Sequence, residues 1–169
     1  NTIADNKAMS GGGIYCIYDS DPLLKNTILW GNEAVWGNQV FIPHIDCDPD
    51  FYYCDVMGGK GDFGGAGAGM NYSGKYNNNI DMDPLFGMPG NYALGDGSPC
   101  IDSGDPDSRP DPDGTRADIG ARYYKHIGIG HFGNNHSKSL DVDPAFSFTI
   151  NPNPVVIKAK IRYDVAIDS

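Results

Sequence analysis

Five aspartates, Asp105, Asp107, Asp111, Asp113 and Asp118, stand in one Pro-rich loop of the chain. Carboxylate oxygens are the hard ligands that Ca²⁺ takes, and Asp113-Gly114 allows a sharp turn among them. The spacing is not that of an EF-hand, because counting back from Gly114 puts Arg109 at the first ligand position and no Glu follows at the twelfth. These five residues are therefore the candidate Ca²⁺ ligands. The competing reading is a solvated Asp/Pro turn held by Arg109 or Arg116.

Other residue types in the chain could also do chemistry. The motif Asp-x-Asp-Pro-x-Phe occurs at 46–51, 81–86 and 141–146. An Asp before Pro is driven to extended backbone, and its carboxylate can accept from the amides of the following turn while the Phe folds inward. Turn capping is expected to outweigh Ca²⁺ at these corners. His131 and His136 are five apart with Gly and Asn between, a poor spacing for a helical metal pair, and His126 joins them only through a loop. The run Gly11-Gly12-Gly13 lacks the downstream Lys and helix that a phosphate loop requires. Trp30 and Trp36, with Tyr52 and Tyr72, are candidate stacking platforms for a sugar, in competition with core packing. No nucleophile stands with a base, and Lys7 and Lys25 make no basic pair on a strand.

What must position these residues is a chain of short strands. Its 169 residues include 23 Gly and 12 Pro, and apolar residues come in runs of two to four between turn formers. A net charge of -10 argues against a nucleic-acid partner, which rewards basic patches. No apolar run approaches the roughly 18 residues of a membrane-spanning segment. Four cysteines without a C-x-x-C pair leave two readings open: two disulfides in any of three connectivities, or free buried thiols.

The organising signal is a repeat. Asn1-Thr2-Ile3-Ala4-Asp5-Asn6-Lys7-Ala8 recurs from Asn26 to Ala34 with one inserted residue, an offset of about 25. That is close to one coil of a right-handed parallel β-helix, in which each strand pairs with its counterpart one coil on and like side chains stack. Asn6 with Asn32, and Asn1 with Asn26, are the expected ladders. Ile14, Cys16 and Tyr18 are expected on one strand face, with further strands over 39–42 and 51–56. Residues 58–74, with eight glycines, read as an excursion off the coils. Residues 77–121 read as the closing end, with strands at Tyr92-Ala93-Leu94 and at Ser98 to Asp102. In the tail, Ile157, Ala159, Ile161, Tyr163 and Val165 alternate with polar residues as in a half-buried strand.

Several of these segments together, GGGIYC, Asn26 to Asn32, Asn79 to Phe86, Asn91 to Leu94, Gly97 to Gly104 and Ala117 to Ala121, resemble the C-terminal coils of secreted right-handed parallel β-helix repeat proteins. Many of those are large bacterial surface proteins. Asn151-Pro-Asn-Pro and the strand ending Ile161-Arg162-Tyr163 resemble the opening of a type IX secretion C-terminal sorting domain. The resemblances imply an all-β chain: coils and cap over 1–124, a linker over 125–147, and the start of a β-sandwich-like sorting domain over 148–169. They imply a mature or excised fragment whose first residue already lies within a coil, and whose N-terminal edge continues into further coils or pairs with a neighbour.

The functional expectation is a non-catalytic structural or adhesin-like protein, extracellular or on the bacterial cell surface. Its expected partners are copies of itself in a filament or lattice, or a cell-surface polysaccharide. The alternative is a polysaccharide lyase or glycosidase, or a carbohydrate-binding protein, whose site lies mainly on coils ahead of Asn1.

Overall fold

A computed structural model describes residues 1–126. The expectations for His131, His136, the third Asp-Pro corner, the tail strand and the sorting domain fall outside the described residues.

The described chain is all-β with parallel sheets, and its helix is confined to two 3₁₀ turns, Gly59–Asp62 and Gly69–Asn71. Strands β1 (Thr2–Ala4), β2 (Lys7–Ser10), β3 (Ile14–Tyr15) and β4 (Leu23–Lys25) form a first circuit, and β5 (Ile28–Trp30), β6 (Glu33–Trp36), β7 (Val40–Phe41) and β8 (Asp50–Tyr52) a second. A third contains β9 (Asp55–Val56) and β10 (Tyr76–Asn77). Pairing between these strands is parallel: β1-β5-β9 and β4-β8-β10 form three-stranded sheets, β2-β6 and β3-β7 two-stranded ones. Parallel pairs put residues of like type in columns one circuit apart. Ile3, Leu29 and Val56 make one inward column, and Leu24, Phe51 and Tyr76 another. Their common core also takes in Val40, Ile42, Phe63 and the buried thiols Cys16, Cys47 and Cys54. All four cysteines are free and buried.

The circuits turn at stacked corners. Asn26, Tyr53 and Asn78 follow β4, β8 and β10 in register, with φ of 47°, 51° and 56°. Asp5 and Gly31 form a second such column, with φ of 57° and 65°. One left-handed residue redirects the chain without a loop, and Asn and Gly tolerate that conformation best. Tyr53 therefore splits the expected strand 51–56 into β8 and β9. Tyr18, with φ of 55°, likewise leaves the expected strand face: it is 86 % exposed while Cys16 is buried.

Three further expectations need correction. The register of β1 on β5 pairs Thr2 with Ile28, an offset of 26 from the start of the strand, so Asn1 does not stack on Asn26. Asn26 instead turns its amide outward, donating to Ser108 Oγ at 3.1 Å and accepting from the Asp105 N–H at 2.7 Å. Residues 58–74 are not an excursion. Gly64 sits in parallel register beside Phe41, its N–H on the Val40 carbonyl at 2.9 Å, and Phe63 enters the core. Glycine is required at this approach: a Cβ on Gly67 would lie 2.2 Å from the His44 carbonyl oxygen. Finally, 78–126 carry isolated bridges and turns where two strands were expected.

That last segment is a strap along a face rather than a lid on an end. The outward column of the β1-β5-β9 sheet is Thr2, Ile28 and Asp55. Cys100 meets Asp55, Ile119 packs on Ile28, and the Ala121 N–H reaches Thr2 Oγ1 at 3.1 Å. The strap thus runs back from the third circuit to the first, and Ile28, Cys100 and Ile119 are wholly buried beneath it.

Candidate functional site

The acidic loop is the middle of this strap. Asp111 and Thr115 close a tight turn, Asp111 N–H to Thr115 O at 3.0 Å, around Gly114 with φ of 87°. Each carboxylate placed by that turn accepts from nearby donors. Asp105 accepts the Asp107 N–H at 3.0 Å and pairs with Lys25 Nζ at 2.6 Å. Asp111 Oδ2 accepts the Asp118 N–H at 2.9 Å. Asp113 Oδ1 accepts the amide and hydroxyl of Thr115, at 3.2 and 2.8 Å. Asp118 bridges, taking the Asp102 N–H at 2.7 Å on one oxygen and the Tyr124 N–H on the other. Asp107 lies exposed at the loop's outer side.

Electrostatics divide these groups. The Lys25 hydrogen bond holds Asp105 below the usual carboxylate range, and donation from Thr115 does the same for Asp113. Burial pushes Asp111 and Asp118 upward, against the amides that they accept. Arg116 stabilises the loop, but through carbonyls: its Nε donates to Gly104 O at 2.6 Å, and its guanidinium lies 5.7 Å from the Tyr53 ring centre. His126 lies beside the loop, 3.4 Å from Asp102 and 3.8 Å from Asp113. Among the described residues, no three His, Cys, Asp or Glu side chains converge on a metal position. Four of the five carboxylates, all but that of Asp107, accept backbone amides.

No protein-family model, curated protein or solved structure matches the chain. Its chemistry is therefore read from its own residues.

The two tryptophans lie on different strands. Trp30, on β5, is half-buried against the Ile28, Leu94, Cys100 and Ile119 cluster beneath the strap. Trp36, at the end of β6, is 56 % exposed. Tyr72 and Tyr52 are half-buried, and Tyr72 donates to the Pro49 carbonyl at 2.5 Å.

The corner aspartates join circuits. Asp21 Oδ1 accepts the Asp48 N–H at 2.7 Å, and Asp48 Oδ1 accepts the Ser73 N–H at 3.2 Å and its hydroxyl at 2.6 Å. Asp48 thus caps the next circuit rather than its own turn, whereas Asp83 accepts the Leu85 N–H two residues on at 2.9 Å. Phe51 is buried, and Phe86 packs under the strap, as an inward Phe requires. The Asn6–Asn32 ladder is present: Asn6 Nδ2 donates to Asn32 Oδ1 at 3.0 Å.

Two groups escaped the sequence reading. Asn32 also donates to Gln39 Oε1 at 2.7 Å, a buried amide pair whose only sequence trace is a Gln heading an apolar strand. The other is Asp55, wholly buried and in contact with the Cys100 thiol. An Asp between Cys54 and Val56 in an apolar run was its visible signal.

Proposed function

We propose that residues 1–124 are coils of a right-handed parallel β-helix, and that the protein is a non-catalytic structural or adhesin-like element outside the cell or on a bacterial cell surface. One observation carries the reading: the first and second circuits pair at the same 26-residue offset in three separate sheets, as in Thr2 with Ile28, Lys7 with Glu33 and Ile14 with Val40. A chain that returns to its own register at stacked corners is quasi-one-dimensional, and each added circuit lengthens one repetitive surface. Its polar side chains join circuits, as the Asn6–Asn32 ladder and the Asp21–Asp48–Ser73 chain do. The resemblance of the tail to a sorting domain supports export and rests on sequence alone. Association with further copies in a filament or lattice belongs to the proposal, because an open parallel edge accepts another strand.

A second reading is carbohydrate binding, favoured by the exposure of Trp36. A glycan array with a lyase and glycosidase assay on the purified chain tests both. The structural reading expects neither turnover nor a glycan signal. A signal lost in Trp36→Ala would establish the second reading, and turnover would overturn the non-catalytic one. Sedimentation of a clean monomer across the micromolar range would remove the self-association.

A further inference from the structure

The strap meets the β1-β5-β9 sheet at a buried acid that lacks a cation. Asp55 is 0 % exposed. Its Oδ2 accepts the Cys100 thiol at 3.2 Å and its Oδ1 the Met82 N–H at 3.2 Å. The amide bond is at the long end of its range, and a thiol is a weak donor. The ionisable groups that act on it are Asp81 and Asp83 from the corner after β10, Tyr76 from β10, Cys54 just before β9 and Cys100 from the strap, with Asp118 acting on Cys100 in turn. None of these is a cation. Asp105, the other strap carboxylate against the stack, has Lys25. A buried charge held by one amide and one thiol is costly, and the neutral acid avoids that cost.

We propose that Asp55 and Cys100 form an acid-tightened latch, in which a protonated Asp55 lets the strap close on the sheet and its ionisation loosens the strap. Burial, opposed by the Met82 and Cys100 donors, pushes the Asp55 carboxyl from its ordinary 3.8 up to about 6. The value is raised on closing, so the stabilisation is fully present below about pH 4, falls as pH rises through the folded value, and is gone above it. Between those limits the closed-to-open ratio falls by about 100-fold. The latch stands whether or not the chain has the surface role proposed above.

Amide hydrogen exchange on the whole chain, corrected for the intrinsic pH dependence, reads the latch directly. The reporters are the strap amides of Gly104, Ile119 and Gly120, bonded to the carbonyls of Ala117, Cys100 and Asn26, with the Gly64 amide inside the circuits as control. Between pH 4 and 7 the strap amides should lose about 100-fold in protection relative to Gly64. Asp55→Asn, which keeps the shape without the charge, should remove most of that loss, leaving the smaller share that the raised Asp111 and Asp118 carboxyls contribute. Cys100→Ala removes a donor to the carboxylate and should move the midpoint to higher pH. Equal loss in strap and control amides, an unchanged profile in Asp55→Asn, or an unmoved midpoint in Cys100→Ala would each overturn the latch. Should Asp55→Asn fail to fold, the Cys100→Ala midpoint decides alone.

Discussion

Replacing Asn32 with Ala tests whether side-chain amides hold successive circuits together. The Asn32 side chain is almost wholly buried and satisfies four partners. Its Oδ1 accepts the Asn6 N–H at 3.1 Å and Asn6 Nδ2 at 3.0 Å, and its Nδ2 donates to Ile3 O at 2.8 Å and to Gln39 Oε1 at 2.7 Å. Truncation strands the Asn6 amide, the Ile3 carbonyl and the Gln39 amide oxygen. A buried polar group left without a partner costs about 1–3 kcal/mol. An open cleft lined by Gly31, Asn32 and Gln39 lets water reach part of the vacated space, which places the sum near the low end, at about 3 kcal/mol. Asn6→Ala is the matched control: Asn6 is exposed and loses one bond, while Asn32 Oδ1 keeps the Asn6 N–H, for about 0.5–1 kcal/mol. With a urea slope of about 1.5 kcal/mol/M, the Asn32 variant should unfold about 2 M earlier than the parent, and the Asn6 variant by well under 1 M. If the two variants lose the same amount, or Asn32→Ala loses under about 1 kcal/mol, the ladder is ornament and the stack is held by its apolar columns alone.

The corner and packing arguments predict further outcomes. Tyr53→Val should lower stability by about 1–2 kcal/mol, because a β-branched residue resists the φ of 51° held there. Tyr53→Asn should fall within about 0.5 kcal/mol of the parent in the same urea titration, since the left-handed residue that it supplies offsets the lost Arg116 contact. Gly67→Ala should cost about 2–3 kcal/mol by chemical denaturation, the His44 carbonyl being 2.2 Å from the new Cβ, while Gly61→Ala, with open space around it, should be neutral. Equal effects at the two glycines would return 58–74 to the status of an excursion. Millimolar Ca²⁺ should leave the melting temperature unchanged, since four of the five carboxylates of the acidic loop are already bonded to amides, hydroxyl and Lys25. A rise of several degrees that EGTA reverses would place a cation there.

The features legible in the sequence were those that recur. Asn6 and Asn32 share a local context and stack as that context requires. The apolar pairs around Leu29, Val40 and Phe51 mark strands because one face of each meets a common core. Three features were hidden for physical reasons. The offset of 26 rather than 25 at the start of β5 comes from the pairing of Thr2 with Ile28, and a repeat of like letters does not report register when a corner residue intervenes. Residues 58–74 look unstructured because glycine-rich chain lacks strand formers. Those glycines are the condition for backbone to approach backbone, as at Gly64 and Gly67. At the acidic loop, the spacing of five aspartates fits ligation and amide capping equally well, and the capping is visible only in the positions of the Thr115, Asp118 and Tyr124 donors.

The direction of the strap is the deepest of these cases. Residues 77–121 carry the marks of a closing segment: short apolar pairs, tight turns and little polar periodicity. Those marks say that the segment covers apolar surface, and they are the same for the end of a stack and for its side. The deciding residues lie far upstream. Ile28 is an apolar residue next to Leu29 on one short strand, so one of the pair must face away from the core and needs its own cover. Thr2 and Asp55 stand above and below it in the same outward column. An outward column of Thr, Ile and Asp, one polar hydroxyl, one alkyl group and one acid, is matched on the strap by the Ala121 amide, Ile119 and the Cys100 thiol in turn. Two of those matches are neutral and insensitive to conditions. The third places an acid under a thiol, so the strap's hold on the stack changes with protonation through its contact nearest β9.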